Sequence, residues 1–563
     1  MLKTVAVSSL ERVFPNGDFE KKSFKRISAM KNEPVSFQVA YKLFDSIDLS
    51  IPVNVKIETD LPVSLFAVGC VPVLHTSVAG EDFAKAGLFP DVLYQKKINP
   101  EYIEGHSPTR TIFTEKGDRT QLNATVDSWQ SVWLTVNEKA KTIKSGTYKV
   151  KVIFVDRRST EVMSETVVTV DIIDASLAKQ KVCYTNWIHC DNICEMHGVE
   201  MFSDRFFDLL EDYLKLASQN GMNMVLVPAF TPALDTPIGQ YRMKAQLVGI
   251  EKKGNKYTFD FSLMKRYIDV AKKCGITHFE HTHFFTQWGA IAAPMIFAKV
   301  NGKEKQIFGW DTDSTGKVYV NFLKQYIPAV IEFLKQEKLD KKILFHVSDE
   351  PTEKNFENYR KACNVVRPLL EGYLTGDALS KYEFYSEGVT KCPIVRTDNI
   401  HTYIGRCDYM WCYYTGGEVK NGLSNRTLAI PPEKNRMIGI QMYYFNMRGF
   451  LHWGYNFYYD RLSQGFFEPR ANPCGFNNNP ATAFMVYPEY TGKINQSTRQ
   501  KVFGEGLLDI RALQLLEKLT SKENCHKIIE KHFGEMSFHA SPSSPEQFLA
   551  FREEVNAEIA KNI

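Results

Sequence analysis

The chain has 563 residues, of which 44% are apolar and 24% are charged, and its formal net charge is +4. A chain of this length and composition is globular and too long for one ordinary core, so we expect two or three domains. The charges are spread along the chain without the basic blocks that nucleic-acid binding needs, which argues against nucleic acid as a partner.

The amino terminus reaches Glu11 and Arg12 before any apolar run long enough for a signal sequence. No stretch of about 18 apolar residues follows, so no membrane insertion is expected. The 11 cysteines are odd in number and lack CxxC spacing, which favours free thiols over a disulfide framework. These features predict a cytoplasmic protein, and they do not indicate an oligomeric state.

Residues 1–175 carry short alternating runs, such as residues 35–41 and 148–154, separated by Gly, Asp and Pro turns. Helical periodicity is missing from this region. The pattern predicts an N-terminal β-sandwich whose last strand covers residues 166–173, followed by a linker over residues 174–181.

From residue 182 to 515 the pattern changes to buried strand, polar loop and amphipathic helix, which is typical of a parallel sheet with crossover helices. Eight strands are predicted, and eight argue for a closed (β/α)8 TIM-like barrel. The predicted strands begin near Val182, Asn223, Thr277, Lys342, Gly372, Pro393, Asp408 and Gly449. The clearest helices cover residues 204–218, 263–273, 320–336 and 353–369.

Two further segments complete the predicted architecture. Residues 240–260 alternate around a Lys-Lys-Gly-Asn turn and predict a β-hairpin after the second barrel strand. Residues 516–563 are rich in Lys and Glu and predict a helical C-terminal extension. The fold class is therefore multidomain, with a β-sandwich, a barrel and a short helical extension.

The fourth predicted strand ends in the dipeptide Asp349-Glu350, followed by Pro351. Reacting groups in such barrels lie at the carboxyl ends of the strands. Successive strand residues point to opposite faces, so both carboxylates can serve one site only if the backbone bends there, and Pro351 favours a bend. The alternative is an exposed pair that caps the helix beginning near Glu353.

Aromatic and polar side chains cluster at the ends of the other predicted strands. Sugar rings have apolar faces that stack on exposed aromatics, so this composition indicates a carbohydrate site, although each aromatic could equally pack in the core. The tryptophans at strand ends are Trp187, Trp288, Trp411 and Trp453. The surrounding donors and acceptors are His189, Asp191, His281, His283, Gln287, Asp377, Tyr413, Tyr414, Tyr455 and Asn456.

Glycoside hydrolysis needs a protonated acid and a nucleophile at the anomeric carbon. Glu350 is the predicted acid/base, with a pKa raised by the neighbouring charge of Asp349. The seventh strand, where a second carboxylate is often found, has none in residues 409–415. A substrate's own 2-acetamido oxygen could replace it, with Asp349 holding the acetamido N–H, Tyr413 or Tyr414 its oxygen, and Trp411 or Trp453 its methyl group.

The chain resembles glycoside hydrolase family 123 over essentially its whole length. The resemblance rests on the β-sandwich, the Ser-Asp-Glu-Pro end of the fourth strand and a closing segment. That segment comprises residues 479–481, 487–488, Ser497, Arg499, Glu505, Gly506 and Asp509. The resemblance implies a β-N-acetylgalactosaminidase that acts on glycolipid-type glycans with retention and needs no cofactor. It assigns acetamido stabilisation to Asp349 and acid/base catalysis to Glu350. Because the closing segment lacks the glycine-rich form expected in many relatives, the resemblance leaves the specificity at that loop open.

Three alternatives remain from the residues alone. A two-carboxylate glycosidase with Glu350 as acid/base would need a facing carboxylate, for which Asp408 and Glu418 are the nearest candidates. A metal enzyme would use His281 and His283 as a ligand pair on one strand face, but no third histidine with an acidic partner stands at a convincing position, so no metal is predicted. A carbohydrate-binding protein without turnover would use the same aromatic surfaces.

Overall fold

The structure is a computed structural model of residues 1–563 that describes all of them except 20, 21, 23, 79, 83, 97–98, 101–108, 112–121 and 389. The region up to residue 175 is rich in sheet, as predicted, and two mostly antiparallel sheets share one apolar core there. The first sheet has the strand order Leu2–Ser8, Val35–Leu43, Gln130–Val136, Val63–Val73, Gly87–Lys96, Ile494–Ser497 and Val486–Pro488. The second has the order Arg26–Met30, Val162–Ile173, Gly146–Asp156, Ser50–Glu58, Thr109–Thr111 and Asn99–Pro100, with Asn123–Thr125 also paired to Ser50–Glu58. A two-stranded ribbon, Ser77–Val78 with Glu81–Asp82, lies apart from both.

Eight parallel strands form a closed barrel, which confirms that part of the predicted fold. Every predicted strand is present, and the largest offset is at the seventh, predicted from residue 408 and found from residue 411. The pairing of the first strand with the eighth closes the barrel. The strands in order are Cys183–Asn186, Met224–Val227, His278–His281, Ile343–Phe345, Leu374–Leu379, Cys392–Arg396, Trp411–Tyr413 and Gly449–His452.

Side chains alternate between the inside of the barrel and its outer surface, as strand geometry requires. In the second strand Met224 and Leu226 belong to the inner core, whereas Val225 and Val227 pack outward against the helices. This alternation decides which residues near the strand ends can reach the site.

The helices around the barrel are less regular than eight complete repeats. Only one helical turn, Glu383–Ser386, follows the fifth strand, and only a 3-10 turn, Ile400–Thr402, follows the sixth. The predicted helix over residues 353–369 is divided into a 3-10 turn, a helix and a second 3-10 turn. The helices are Cys190–His197, Asp204–Gln219, Ser262–Lys273, Lys317–Gln336, Phe356–Val366, Glu383–Ser386, Pro432–Tyr444, Thr498–Leu519, Lys522–Phe533 and Pro545–Lys561, and the remaining 3-10 turns are Lys420–Gly422 and Arg461–Ser463.

A small four-stranded sheet is inserted into the loops after the second and third barrel strands. The predicted hairpin is present as Gly249–Lys253 paired with Lys256–Asp260. A second hairpin, Ile296–Val300 with Lys303–Phe308, was not predicted and joins the first through the pair Glu251 and Lys299.

Buried ion pairs connect the N-terminal sheets, the barrel and the C-terminal helices. Arg499 Nε lies 3.0 Å from Asp91 Oδ2 of the first sheet. Arg436 on a barrel helix contacts Glu505 and Asp509, at 2.9 and 2.7 Å. The strands Val486–Pro488 and Ile494–Ser497 extend the first sheet although they fall within the predicted barrel domain. The domain limits at residues 175, 182 and 515 therefore stay predictions.

All eleven cysteines are free thiols, as expected from their spacing. Among the described residues no helix is both long and apolar enough to cross a membrane.

Candidate active site

The two adjacent carboxylates reach one cleft because the backbone turns at the end of the fourth strand. Regular strand pairing stops at Phe345, and Glu350 has a φ of 41°, in the left-handed region that non-glycine residues rarely adopt. The peptide N–H of Trp288 donates to the carbonyl of Asp349 at 2.8 Å, which holds the turn from the neighbouring loop. The predicted bend is therefore present, and it brings both side chains to the same side.

The cleft at the carboxyl end of the barrel has a volume of about 370 Å³. Four of its lining residues, Asp235, Trp288, Glu350 and Asn477, have positive φ values between 41° and 57°. Such conformations cost about 1–3 kcal/mol each and concentrate at functional sites. The lining consists of Trp187, His189, Leu234, Asp235, Gln287, Trp288, Asp349, Glu350, Ala378, Tyr413, Thr415, Gly416, Gly417, Leu451, Trp453, Phe457, Arg461, Phe476, Asn477 and Asn479.

Tyr413 faces Glu350 across the cleft from the seventh strand. Its hydroxyl donates to Glu350 Oε1 at 2.8 Å. Among the described residues, no donor contacts the Asp349 carboxylate, which leaves its oxygens available to accept a hydrogen bond from a substrate. Glu418, one of the two candidates for a facing nucleophile, instead accepts from the backbone and hydroxyl of Thr415 and does not line the cleft.

Burial raises the pKa of both carboxyl groups. For Asp349, the second cause is the charge of Glu350, and the nearby His346 opposes the rise. For Glu350, the hydrogen bond from Tyr413 opposes the rise, and Glu418 adds to it. Burial is therefore the largest cause of the raised pKa of both carboxyl groups, and the repulsion between Asp349 and Glu350 that the sequence predicted adds to it.

Eight of the sixteen candidate site residues line the cleft and eight do not. Those in the lining are Trp187, His189, Gln287, Trp288, Asp349, Glu350, Tyr413 and Trp453. Those outside it are Asp191, His281, His283, Asp377, Trp411, Tyr414, Tyr455 and Asn456. The direction of each side chain and its depth in the barrel account for the second group.

The histidine pair does not share a face, contrary to the prediction. His281 points outward, where its Nε2 lies 2.8 Å from the Tyr326 hydroxyl on a surrounding helix. Regular strand structure ends at His281, and His283 turns inward beneath the cleft, stacked on His346 with ring centroids 4.6 Å apart. The two side chains therefore cannot bind one metal ion together.

On the seventh strand, alternation separates the two tyrosines. Tyr413 points into the barrel, whereas Tyr414 packs outward against Phe450. Trp411 lies one layer below Tyr413, and its indole occupies the space above Gly449, where an added Cβ would come within 2.3 Å of the ring. The sequence left two choices open, Tyr413 or Tyr414 and Trp411 or Trp453. Tyr413 and Trp453 are the residues that reach the cleft.

Asn456 and Asp377 are buried, and their side chains form hydrogen bonds to the backbone instead of facing the cleft. Asn456 Oδ1 accepts from the His189 N–H at 2.8 Å, and its amide donates to the His189 carbonyl at 3.1 Å. It therefore holds His189, which itself lines the cleft. Asp377 accepts from the N–H groups of Val347 and Ser348, at 2.8 and 3.3 Å, just before the turn at Asp349 and Glu350.

Sequence reasoning missed several lining residues on long loops. Asp235 follows the second strand, and its peptide N–H donates to Gln287 at 2.6 Å. Arg461, Phe476, Asn477 and Asn479 follow the eighth strand. The run of three asparagines before Pro480 was an available signal, since Asn tolerates the left-handed backbone found at Asn477 and Asn478.

One group of described side chains brings three possible metal ligands together. Atoms of His283, His346 and Asp377 lie within 4.8 Å of one another, so a second histidine and an acidic residue lie beside His283, while His281 is outside the group. The two imidazole planes are only 25° apart, which directs their lone pairs along nearly parallel planes rather than toward one point. Asp377 already accepts from two peptide N–H groups and from the Tyr359 hydroxyl. We therefore interpret the group as a buried polar cluster, in which the two imidazoles stack and His346 pairs with Asp377.

Comparisons with known proteins place this geometry in a family. Residues 187–516 match the family model described as Glycoside hydrolase 123, catalytic domain. The fold is similar to a family 123 glycoside hydrolase from Clostridium perfringens studied for glycolipid glycan hydrolysis, with a TM-score of 0.69, 14% identity, and coverage of 100% of this chain and 98% of that chain.

More distant structural similarity is weak. A β-glucuronidase from Ruminococcus gnavus aligns with a TM-score of 0.31 and 9% identity over 84% of this chain and 66% of that chain. No curated protein sequence matches this chain significantly. The family match covers more than half of the chain and includes the whole cleft, so the chain belongs to glycoside hydrolase family 123.

Proposed function

We propose that the protein is a retaining, exo-acting β-N-acetylgalactosaminidase that removes terminal β-linked GalNAc by substrate-assisted catalysis. One observation carries this proposal: Asp349 and Glu350 enter the same cleft from one backbone turn, with the Tyr413 hydroxyl 2.8 Å from Glu350 Oε1. An adjacent acid and acetamido acceptor are what such a mechanism requires of the protein.

In the first step Glu350 protonates the glycosidic oxygen while the substrate's acetamido oxygen attacks the anomeric carbon. The bond from the anomeric carbon to the leaving oxygen breaks, and its electron pair stays on that oxygen. Asp349 accepts the acetamido N–H and stabilises the positive charge of the oxazolinium ring. Tyr413 then donates to the acetamido oxygen or to Glu350, and Trp453 borders the methyl group.

In the second step a water molecule attacks the anomeric carbon from the face that the leaving group vacated. Glu350, now ionised, takes the proton from the water, and the oxazolinium ring opens to restore the acetamido group. Two inversions give net retention, and the acid returns to its starting form. No metal or organic cofactor takes part, so a chelator should leave activity unchanged.

Sugar recognition would combine aromatic walls with polar loop residues. Trp187, Trp453 and Phe457 offer apolar surfaces for the C–H groups of a ring. Asp235, Arg461, Asn477 and Asn479 offer charged and amide groups for its hydroxyls. The galacto preference itself rests on the family resemblance.

The aglycone would extend past Trp288, whose side chain is 40% exposed at the mouth of the cleft. A sugar attached to the terminal residue could stack there, which suits an oligosaccharide or a glycolipid-type glycan. The similar Clostridium perfringens enzyme was studied for glycolipid glycan hydrolysis, and this supports the same substrate class here. The cytoplasmic location expected from the sequence stays a prediction.

A two-carboxylate mechanism is the second candidate because Asp235 lines the same cleft. Burial raises the pKa of Asp235, and its backbone carbonyl accepts from the Ser463 hydroxyl at 2.8 Å. A nucleophilic Asp235 would attack the anomeric carbon and would not need an acetamido group. The two mechanisms therefore differ in whether the substrate needs an acetamido group. They also differ in whether substitution of Asp349 or of Asp235 causes the larger loss of activity.

A panel of aryl β-glycosides tests the proposal: the galacto and gluco N-acetylhexosaminides and the plain galactoside. We expect cleavage of the N-acetylgalactosaminide with retention, measured by proton NMR of the first product anomer, and no cleavage of the plain galactoside. Asp349→Asn should reduce turnover of the acetamido substrate far more than Asp235→Asn does. Rapid cleavage of the plain galactoside, or trapping of a 2-fluoro sugar on Asp235, would establish the two-carboxylate mechanism. Binding without any turnover would indicate a carbohydrate-binding protein.

A further inference from the structure

Four buried titratable side chains lie directly beneath the catalytic turn. His346, the residue after the fourth strand, has its Nε2 3.0 Å from Glu280 Oε2, and its Nδ1 is 3.6 Å from Asp377 Oδ1. The first contact is a hydrogen bond, and the second is an ion-pair distance. His283 stacks on the same imidazole. None of the four lines the cleft, so the proposed mechanism does not use them as substrate contacts.

Other donors hold the carboxylates of Glu280 and Asp377 in place. The indole N–H of Trp187 donates to Glu280 Oε2 at 2.7 Å. The Tyr359 hydroxyl donates to Asp377 Oδ2 at 2.6 Å. Neither carboxylate can turn away from His346 without losing a buried hydrogen bond, so the imidazole is held between two acceptors that favour its charged form.

The same network is joined to the catalytic turn. Asp377 accepts from the N–H groups of Val347 and Ser348, which precede Asp349 in the chain. The Ser348 hydroxyl donates to the Thr286 carbonyl at 2.8 Å and fixes the other side of this segment. The Asp377 carboxylate therefore contacts both the His346 imidazole and the backbone that leads into Asp349.

We propose that His346, held as an imidazolium between Glu280 and Asp377, is a positioning residue that supplies the counter-charge for Asp349 beside Glu350. The proposal rests on the proposed function, in which Asp349 must be ionised to accept the acetamido N–H. Without a positive charge below it, Asp349 would share a buried site with two other carboxylates, Glu350 and Asp377.

The titration behaviour of these groups agrees with that geometry. Burial lowers the pKa of His346, but the carboxylates of Asp377 and Glu280 outweigh it and raise the pKa to about 9. Burial and the charges of Glu350 and Asp377 raise the pKa of Asp349, and His346 lowers it. His283 stacks on His346, and His281 lies on the outer side of the same segment; burial lowers the pKa of both, so they are neutral near pH 7.

The test compares His346→Gln with His283→Gln in the full-length protein. Glutamine can hydrogen-bond to Glu280 and Asp377 but carries no charge, so His346→Gln should raise the pKa of Asp349. The acid limb of kcat/KM should then move to higher pH by about one unit. His283→Gln changes the stacked neutral ring in the same core and should leave the acid limb in place, whatever its effect on kcat.

A second measurement is made on the wild-type protein, and a variant is used only to assign its signal. The wild-type protein labelled with 15N-histidine should show one imidazole that remains doubly protonated at pH 8, and this signal should be missing from His346→Gln. Neutral imidazoles throughout at pH 7, equal acid limbs in the two variants, or a stoichiometric divalent metal in the purified protein would overturn the proposal. If wild type does not cleave acetamido glycosides, the proposed function fails, and the histidine spectrum still reports on the imidazolium.

Discussion

Tyr413→Phe removes one hydroxyl group that lies 2.8 Å from Glu350 Oε1 and leaves the aromatic ring in place. A hydrogen bond to a charged group contributes about 1.5–3 kcal/mol, which corresponds to a loss in kcat/KM of about 10- to 150-fold if the bond is used in the transition state. Because Tyr413 lowers the pKa of Glu350, its removal should raise that pKa.

The sign of the pH effect follows from the role of Glu350 as an acid. Glu350 must be protonated in the first step, and a higher pKa keeps it protonated to a higher pH. The descending limb of the pH profile of kcat/KM for an aryl N-acetylgalactosaminide should therefore move to higher pH in Tyr413→Phe, while the rate at the optimum falls.

Tyr414→Phe is the matched control. Its buried hydroxyl, on the outer side of the barrel, has no hydrogen-bond partner in the described part of the chain, so its removal should change neither the rate nor the pH limbs. Equal rates in the two variants, or a descending limb that moves to lower pH in Tyr413→Phe, would refute the assignment of Tyr413 to the acid.

Three further predictions follow from the same geometry. Glu350→Gln should lose far more activity on substrates with poor leaving groups than on activated aryl glycosides, and equal losses in steady-state kinetics would contradict the acid role. A thiazoline that mimics the bicyclic intermediate should inhibit wild type more tightly than the product sugar does, and similar inhibition constants would argue against an oxazolinium intermediate. Arg499→Met should remove the arginine that forms an ion pair with buried Asp91 and lower the free energy of unfolding in urea by about 3–5 kcal/mol, with little change in kcat per folded molecule. An unchanged midpoint would show that this ion pair does not stabilise the fold.

Most of the barrel strands were predictable because they are short, buried segments between polar loops and helices, and several of them are continuous apolar runs. The position of Asp349 and Glu350 in the cleft was predictable because they follow the fourth strand, and reacting groups in such barrels lie at strand ends. The ion pairs that connect the N-terminal sheets to the rest of the chain could not be predicted from the sequence. They connect Asp91 to Arg499 and Glu33 to Arg552, across hundreds of residues, and such pairings leave no periodic signal.

Side-chain direction at the strand ends was the main limit for the site. His281 and His283 would share a face on a continuing strand, but regular structure stops at His281, and the two rings point to opposite sides. Asp235 lies on an irregular loop whose path depends on contacts with Gln287 and Ser463. Local sequence patterns do not encode such contacts, so the third carboxylate of the cleft could only be found in the structure.

The N-acyl dependence of turnover tests the central claim most directly. A series of aryl β-galactosaminides carrying N-acetyl, N-fluoroacetyl, N-difluoroacetyl and N-trifluoroacetyl groups changes the nucleophilicity of the acyl oxygen with small changes in size. If that oxygen attacks the anomeric carbon, kcat/KM should fall steeply with each added fluorine. A flat series, with all four substrates cleaved at similar rates, would show that a protein carboxylate is the nucleophile and would contradict substrate-assisted catalysis.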